Sequence, residues 1–308
     1  MEFIKPDTRI DFVKYTRIAV IASLVMIAMG VASLLYHGGP RLGIDFAGGA
    51  LIQVKFDKAT SAADIRSALA IVGMEGSLIQ QFGGVHDNEY LIRTDVSTSD
   101  LQDLDEKVAT ALMERYEAEH FEIRRVEVVG AAVGKDLRQK GILSIFYAMI
   151  GILIYVSLRF EFRYAPGAII ALAHDVLITV GIFSLLGKEF TLPVIAALLA
   201  VIGYSLNDTI VVFDRIRENV KGLGRKTIRE IINISINQTL TRTLITAFTT
   251  LLVLVALLIL GGPVIHDFAF ALTVGVIVGT YSSIFIASQT VLAWERWLPS
   301  SNEKKRNR

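Results

Sequence analysis

Four ionisable residues lie inside stretches otherwise suited to a lipid bilayer: His174, Asp175, Asp208 and Arg242. A charge at the centre of a span costs about 2.5–3.5 kcal/mol on insertion scales, so such a residue marks a functional site by default. Burial disfavours an ionised carboxylate and a nearby guanidinium favours it, so a carboxylate–arginine pair can exchange a proton when its geometry changes. Asp208 and Arg242 are the first candidates for such a proton relay, with His174 and Asp175 as the second pair. At 1.5 Å per residue, Asp208 sits roughly 8–10 Å from the inner end of its span. Arg242 falls near the start of the next, antiparallel span, and His174–Asp175 at about the depth of Asp208, so all four can meet at one level. The competing reading of Asp208 and Arg242 is a static ion pair that fixes helix packing, and Asp175 can equally bond polar neighbours. Tyr204, Ser205, Asn207 and Thr209 are read as helix-to-helix hydrogen bonders. No HExxH, GxxxxGK[ST] or GxSxG pattern occurs, so neither an enzyme nor an ATP-driven machine is expected in this chain. His86 and His120 lack ligand-like spacing, so neither a metal nor a cofactor is expected.

The elements that carry these residues are apolar runs. The chain has 308 residues, 53% of them hydrophobic, with mean hydropathy +0.52 and no cysteine. Several runs reach the ~20 apolar residues a bilayer helix needs. Six spans are expected, at 18–36, 139–158, 167–186, 193–213, 240–262 and 268–292. A polar, basic N-terminus (1–17) precedes the first, which is read as an uncleaved anchor because Ser33-Leu34-Leu35-Tyr36 offers no small-x-small cleavage pattern. The joints are short except for 214–239, a basic amphipathic segment expected to lie as a helix along the membrane surface. A polar basic tail covers 293–308, and Trp294 and Trp297 suit the interface.

Residues 37–138 form the one soluble-looking region. From His37 to Lys135 there are 10 Lys+Arg against 16 Asp+Glu, a net of −6, whereas the remainder has 21 against 14, a net of +7. Gly43-Ile44-Asp45-Phe46-Ala47-Gly48-Gly49 reads as a glycine-rich turn, with Asp45 capping nearby amides. Strands are expected at 51–56, 77–82, 90–95 and 121–129. Helices are expected from a Ser61 cap to about Val72, and over 98–118 from a Thr98 or Ser99 cap, with Leu101, Leu104, Val108 and Leu112 inward. The order βαββαβ is the ferredoxin-like pattern. Acidity and a missing aromatic signature argue against nucleic-acid binding.

Lysine and arginine placement sets orientation. The N-terminus, the Arg159/Arg163 turn, the Arg215–Arg229 segment and the tail share one side, whereas the opposite short loops hold only Lys188. Both termini are therefore expected in the cytoplasm and the acidic module outside. Lys135, Arg138 and Lys140 run against this, which a long translocated domain tolerates. In the last span Ala271, Gly275, Gly279, Ser283 and Ala287 form a small-residue stripe, suited either to packing within the chain or to a partner subunit.

The chain resembles the SecD/SecF family of bacterial protein-export membrane subunits, within the resistance-nodulation-division (RND) superfamily. The resemblance covers nearly the whole sequence. It is carried by Gly43–Gly49, by His174-Asp175, by the run Gly203-Tyr204-Ser205-Leu206-Asn207-Asp208-Thr209 to Asp214-Arg215-Ile216-Arg217-Glu218-Asn219, by Leu240-Thr241-Arg242-Thr243 and by Tyr281–Ser288. Ser288-Gln289 departs from it where the family commonly has proline, and a local effect on the helix end is expected. The resemblance implies an RND-type half of six spans that pairs with a related subunit, SecD. It implies YajC as an accompanying protein, work beside the SecYEG channel, and unfolded preprotein as cargo. It also implies proton-motive force as the energy source, with Asp208 and Arg242 as the relay. Asp45, Gly48, Gly49, Tyr204, Asn207, Asp214, Gly275 and Gly279 are the accompanying motif and packing positions. Other readings are an RND-type small-molecule or ion exporter subunit, and an assembly scaffold that does no proton work.

Overall fold

Six helices are long and apolar enough to cross a bilayer: Phe12–Tyr36, Ala131–Arg159, Phe162–Leu185, Leu192–Gly222, Ile228–Leu260 and Val264–Glu295. With them goes a four-stranded antiparallel sheet. The computed structural model describes residues 10–82, 88–94, 104–116, 120–160, 162–223 and 226–297. The expected cap at Thr98 or Ser99, Leu101, His86 and most of both tails lie outside them.

In chain order the elements are α1 (Thr16–Tyr36), α2 (Ile44–Ala47), β1 (Gly49–Phe56), α3 (Ala62–Leu69), β2 (Leu78–Phe82), β3 (Glu89–Thr94), α4 (Leu104–Met113) and β4 (Phe121–Val129). Then follow α5 (Ala131–Arg159), α6 (Ala165–Leu185), α7 (Leu192–Gly222), α8 (Ile228–Leu260) and α9 (Gly262–Ser282). A π-helical turn, Ser283–Ala287, joins α9 to α10 (Ser288–Trp297).

The sheet order is β2-β3-β1-β4, with Ile52 opposite both Ile92 and Val126. Strand alternation sends Ile52, Val54, Phe56 and Ile92 to one face, where they meet Ile65 and Leu69 of α3 and Val108 and Leu112 of α4 in a closed core. Ser61 caps α3, its hydroxyl accepting from Asp64 N at 3.1 Å. The glycine-rich stretch is more than a turn. Residues Ile44–Ala47 form one helical turn, after which Gly48 (φ +79°) and Gly49 (φ +111°) reverse the chain into β1. A Cβ on Gly48 would stand 2.8 Å from Ala131 Cα, so glycine is needed both for φ and for contact with the start of α5.

In the bundle α6, α7 and α9 are the inner helices, whereas α1, α5 and α8 are mostly exposed. The small-residue stripe explains the close approach of α7 and α9. A Cβ on Gly275 would lie 2.1 Å from Val201 Cγ2, and one on Gly279 2.9 Å from Ser205 Cβ. The stripe packs within the chain. A second crossing has no counterpart in the sequence reading: Gly30 of α1 and Gly181 of α6 meet backbone to backbone, where a Cβ on either would fall within 2.8 Å of the other's Cα.

Residues 214–239 correct one expectation. They do not form a surface helix, because α7 runs unbroken to Gly222 and α8 starts at Ile228 behind a Thr227/Glu230 capping box. Asn219 Nδ2 donates to Ser235 Oγ (2.8 Å) and Gln238 Oε1 (2.9 Å), so the two helices extend together as an antiparallel hairpin. Buried Ile216, Ile231, Ile232 and Ile236 continue the bundle core between them. Against α8 lies the first described segment of the chain. Ile10 N and Phe12 N donate to Asn237 Oδ1 and Asn233 Oδ1, each at 2.9 Å, and both asparagines donate back to the Ile10 carbonyl.

Candidate functional site

Asp175 and His174 are adjacent on α6, and both are buried. Asp175 Oδ2 accepts from Ser205 Oγ of α7 (2.5 Å) and from Ser282 Oγ of α9 (2.9 Å). Its Oδ1 lies 2.9 Å from His174 Nδ1. The other ring nitrogen, Nε2, is 2.9 Å from Ser23 Oγ of α1, which is 3.0 Å from Tyr281 Oη of α9. Tyr281 Oη donates to the Ala19 carbonyl (2.6 Å), and its ring stacks on His174. Four helices are thus tied through one acid. Buried polar groups are tolerated when fully bonded, and Asp175 is.

Asp208 is different. One turn beyond Ser205 on α7, it is only 2% exposed, yet its Oδ2 has no hydrogen-bond partner. Arg242 of α8 acts on it electrostatically, but no ion pair within 4 Å joins them, and Arg242 itself is exposed. The expected meeting of four groups therefore resolves into two sites: a satisfied His174–Asp175 network, and Asp208 with an arginine that acts on it without an ion pair. The reason is azimuth. On α8 the buried neighbours are Thr239, Leu240 and Thr243, whereas Arg242 is exposed.

Among the expected hydrogen bonders, Ser205 bonds Asp175 and Thr209 Oγ1 is 3.0 Å from Ser283 Oγ of the π turn. Tyr204 packs beside Leu251, Leu254 and Val276. Asn207 is exposed, with no side-chain hydrogen bond among the described residues, so Asn207 and Arg242 are polar groups left uncovered on membrane-spanning helices.

The remaining motif positions are structural in this conformation. Asp45 Oδ2 accepts from Leu192 N at 2.8 Å, capping α7 from 147 residues away and not its own turn. Around it, Gly43 N donates to the Phe190 carbonyl and Phe190 N to the Arg41 carbonyl, both at 2.7 Å, while Arg93 bridges to Glu189 at 3.0 Å. The sheet module is thereby fastened to the α6–α7 loop. Asp214 pairs with Arg217 (3.2 Å) and Arg159 (3.7 Å). Gln289, at the expected local departure, is buried with neither amide atom bonded. Among the described residues no group of three His, Cys, Asp or Glu is placed to hold a metal. Ser23, Tyr281 and Ser282 were not singled out as site residues; hydroxyls recurring in apolar spans were the available signal.

Long apolar helices with ionisable groups buried between them fit a multi-pass membrane protein whose bundle encloses polar side chains. The family model "Protein export membrane protein SecD/SecF, C-terminal" matches residues 108–297, and "SecD/SecF GG Motif" matches residues 34–60. The chain belongs to the SecD/SecF family. It is 49% identical over 307 residues to protein translocase subunit SecF of Magnetococcus marinus, covering 99% of this chain and 97% of that one. To the SecF subunit of Vibrio alginolyticus it is 43% identical, covering 99% and 97%. The crystal structure of SecDF, a translocon-associated membrane protein from Thermus thermophilus, superposes with TM-score 0.85 at 38% identity. That match covers 96% of this chain and 40% of the Thermus chain.

Proposed function

We propose that the chain is the SecF half of a SecD–SecF pair that uses the proton-motive force to help preproteins finish crossing the cytoplasmic membrane. It would work beside SecYEG, with YajC in attendance. The observation that carries this reading is Asp208, a buried carboxyl with one oxygen unbonded and an arginine within electrostatic reach but unpaired. Such an acid has no packing role that requires its charge, and its surroundings differ sharply between its two protonation states. Exposed Arg242 and Asn207 suit burial against a second six-span subunit, and lipid surrounds the rest of the bundle. The sheet module (37–138) lies on the periplasmic side with both termini in the cytoplasm, in keeping with the basic loops. Its βαββαβ order and fully antiparallel sheet support a ferredoxin-like assignment.

Proton entry from the periplasm neutralises Asp208 and removes the attraction of Arg242. The spans repack against the partner, and the module moves while holding emerging polypeptide. Release to the cytoplasm resets the pair. One charge crossing 100 mV supplies ~2.3 kcal/mol, enough to bias a two-state element. The test is proton-motive-force-dependent export in membranes carrying Asp208→Asn or Arg242→Met at normal protein levels. Loss of the force-dependent component is expected; wild-type rates in both variants would sink the reading.

A further inference from the structure

The first turns of α5 carry two cations that nothing else in the chain answers. Lys135 and Arg138 are exposed, and neither makes an ion pair or a side-chain hydrogen bond among the described residues. Lys140 differs, because its Nζ is 2.7 Å from Asp136 Oδ2. At 3.6 residues per turn, Lys135, Arg138, Ile142, Phe146 and Leu153 fall within about 80° of arc, so the two cations head one stripe. Ile142, Phe146 and Leu153 are all exposed. Asp136, the one acid in α5, is turned about 100° from Lys135 and is already paired with Lys140.

Spacing along the helix suits a lipid. Residues 141–158 carry no charge, and they rise about 27 Å, close to the ~30 Å hydrocarbon core of a bilayer. Arg138 then stands about 4–5 Å beyond that core and Lys135 about 9 Å beyond it. The headgroup zone is roughly 5–7 Å deep on each side, within reach of both flexible stems. We propose that this stripe docks an anionic phospholipid of the surrounding bilayer, with its phosphodiester between Lys135 and Arg138 and an acyl chain along Ile142 and Phe146. An acidic protein face would answer the two cations but not the apolar stripe in line with them, whereas an amphiphile with an anionic head answers both. A zwitterionic head would set its own cation against the pair. The proposal rests on α5 crossing a bilayer and is independent of proton use.

The packed side of the same turns is where the sheet module is seated. A Cβ on Gly134 would stand 3.0 Å from Gly48 N and 3.2 Å from the Phe46 carbonyl carbon, and one on Gly141 3.9 Å from the Phe46 ring. Only Gly130 separates the end of β4 from the start of α5. A headgroup held on the free side therefore restrains the helical turns against which Phe46 and Gly48 pack. The seat of the module becomes sensitive to the charge of the lipid beside it.

The test uses the full chain in phosphatidylcholine vesicles, with Phe146→Trp as the probe and Trp294→Phe and Trp297→Phe removing the native tryptophans. Brominated phosphatidylglycerol and brominated phosphatidylcholine are compared as quenchers of the probe. Phosphatidylglycerol should be preferred, and Lys135→Gln and Arg138→Gln should each lower that preference by about fivefold, the equivalent of about 1 kcal/mol per surface cation. Lys140→Gln, whose lysine is paired, should leave it unchanged. Equal quenching by the two lipids, or an equal loss in Lys140→Gln, overturns the dock. Displacement of the lipid by soluble glycerol phosphate overturns its assignment to a bilayer lipid. Hydrogen exchange in 44–48 and 131–141 should be slower in nanodiscs containing phosphatidylglycerol than in phosphatidylcholine alone, and the difference should vanish in the Lys135→Gln/Arg138→Gln double variant. Exchange that ignores lipid charge overturns the link to the module. None of these readouts involves export, so failure here is distinct from failure of the Asp208→Asn export test.

Discussion

Two buried acids in one bundle should respond in opposite ways to the same chemical change. Replacing Asp175 by asparagine substitutes one acceptor oxygen by an amide NH2 in a place surrounded by donors: Ser205, Ser282 and His174. Hydrogen bonds to a charged group are worth about 1.5–3 kcal/mol each, and breaking a buried ion pair from one side costs about 3–5 kcal/mol. The upper part of that range applies if both serine hydroxyls fail to rotate away from the new amide. Asp208→Asn removes a charge whose Oδ2 has no partner, so nothing bonded to that oxygen is lost and a buried unpaired charge disappears. Its effect on stability is expected to be neutral or favourable. Heating detergent-solubilised protein and following the monodisperse fraction by fluorescence-detected size exclusion separates the two. At about 2–4 °C per kcal/mol, Asp175→Asn should melt at least about 6 °C lower and Asp208→Asn no lower than wild type. If the two variants melt together, or Asp208→Asn is the weaker, the assignment of Asp175 as the structural hub is wrong.

Two further outcomes follow from local geometry. Gly275→Ala places a methyl group into Val201 and should cost about 1–3 kcal/mol in the same melting assay, with Val201→Ala recovering much of the loss in the double variant. In the sheet module, the hydrogen bond from Ser61, followed by Arg115, holds the Asp64 carboxyl below its ordinary value of 3.8. A lowered folded-state value means stabilisation that is fully present above the ordinary carboxylate range and lost as pH falls through the lowered value. Hydrogen exchange of α3 should therefore be slower in wild type than in Asp64→Asn at neutral pH, and the difference should vanish in acid. A difference that persists or grows below pH 3.8 would contradict the assignment.

The parts legible in the sequence were those governed by local periodicity. Six apolar runs became six membrane-length helices, and alternation in β1 and β3 placed Ile52, Val54 and Ile92 in the module core. Direction around a helix was not readable. A level expected from residue counts says nothing about facing at 100° per residue, and Arg242 is exposed where Asp208 is buried. Composition likewise cannot tell one basic helix from the ends of two separate helices, which is how residues 214–222 and 228–239 are built. The stripe at Gly275 and Gly279 announced a close contact without naming its partner, which proved to be α7. Ser23 left little trace because lone hydroxyls in spans usually bond their own helix, as Thr273 and Thr280 do here.

The asparagine clasp on the first described residues has a consequence for biosynthesis. Ile10 and Phe12 are held by side chains 221–227 residues further along the chain. At roughly 5–20 residues per second, their partners leave the ribosome roughly 10–45 s after they do. Until then the leading end of α1 is unsecured, and the sheet module is made after a helix not yet fixed at that end. A nascent chain that stops short of α8 keeps that end free, so the clasp distinguishes a finished bundle from a truncated one.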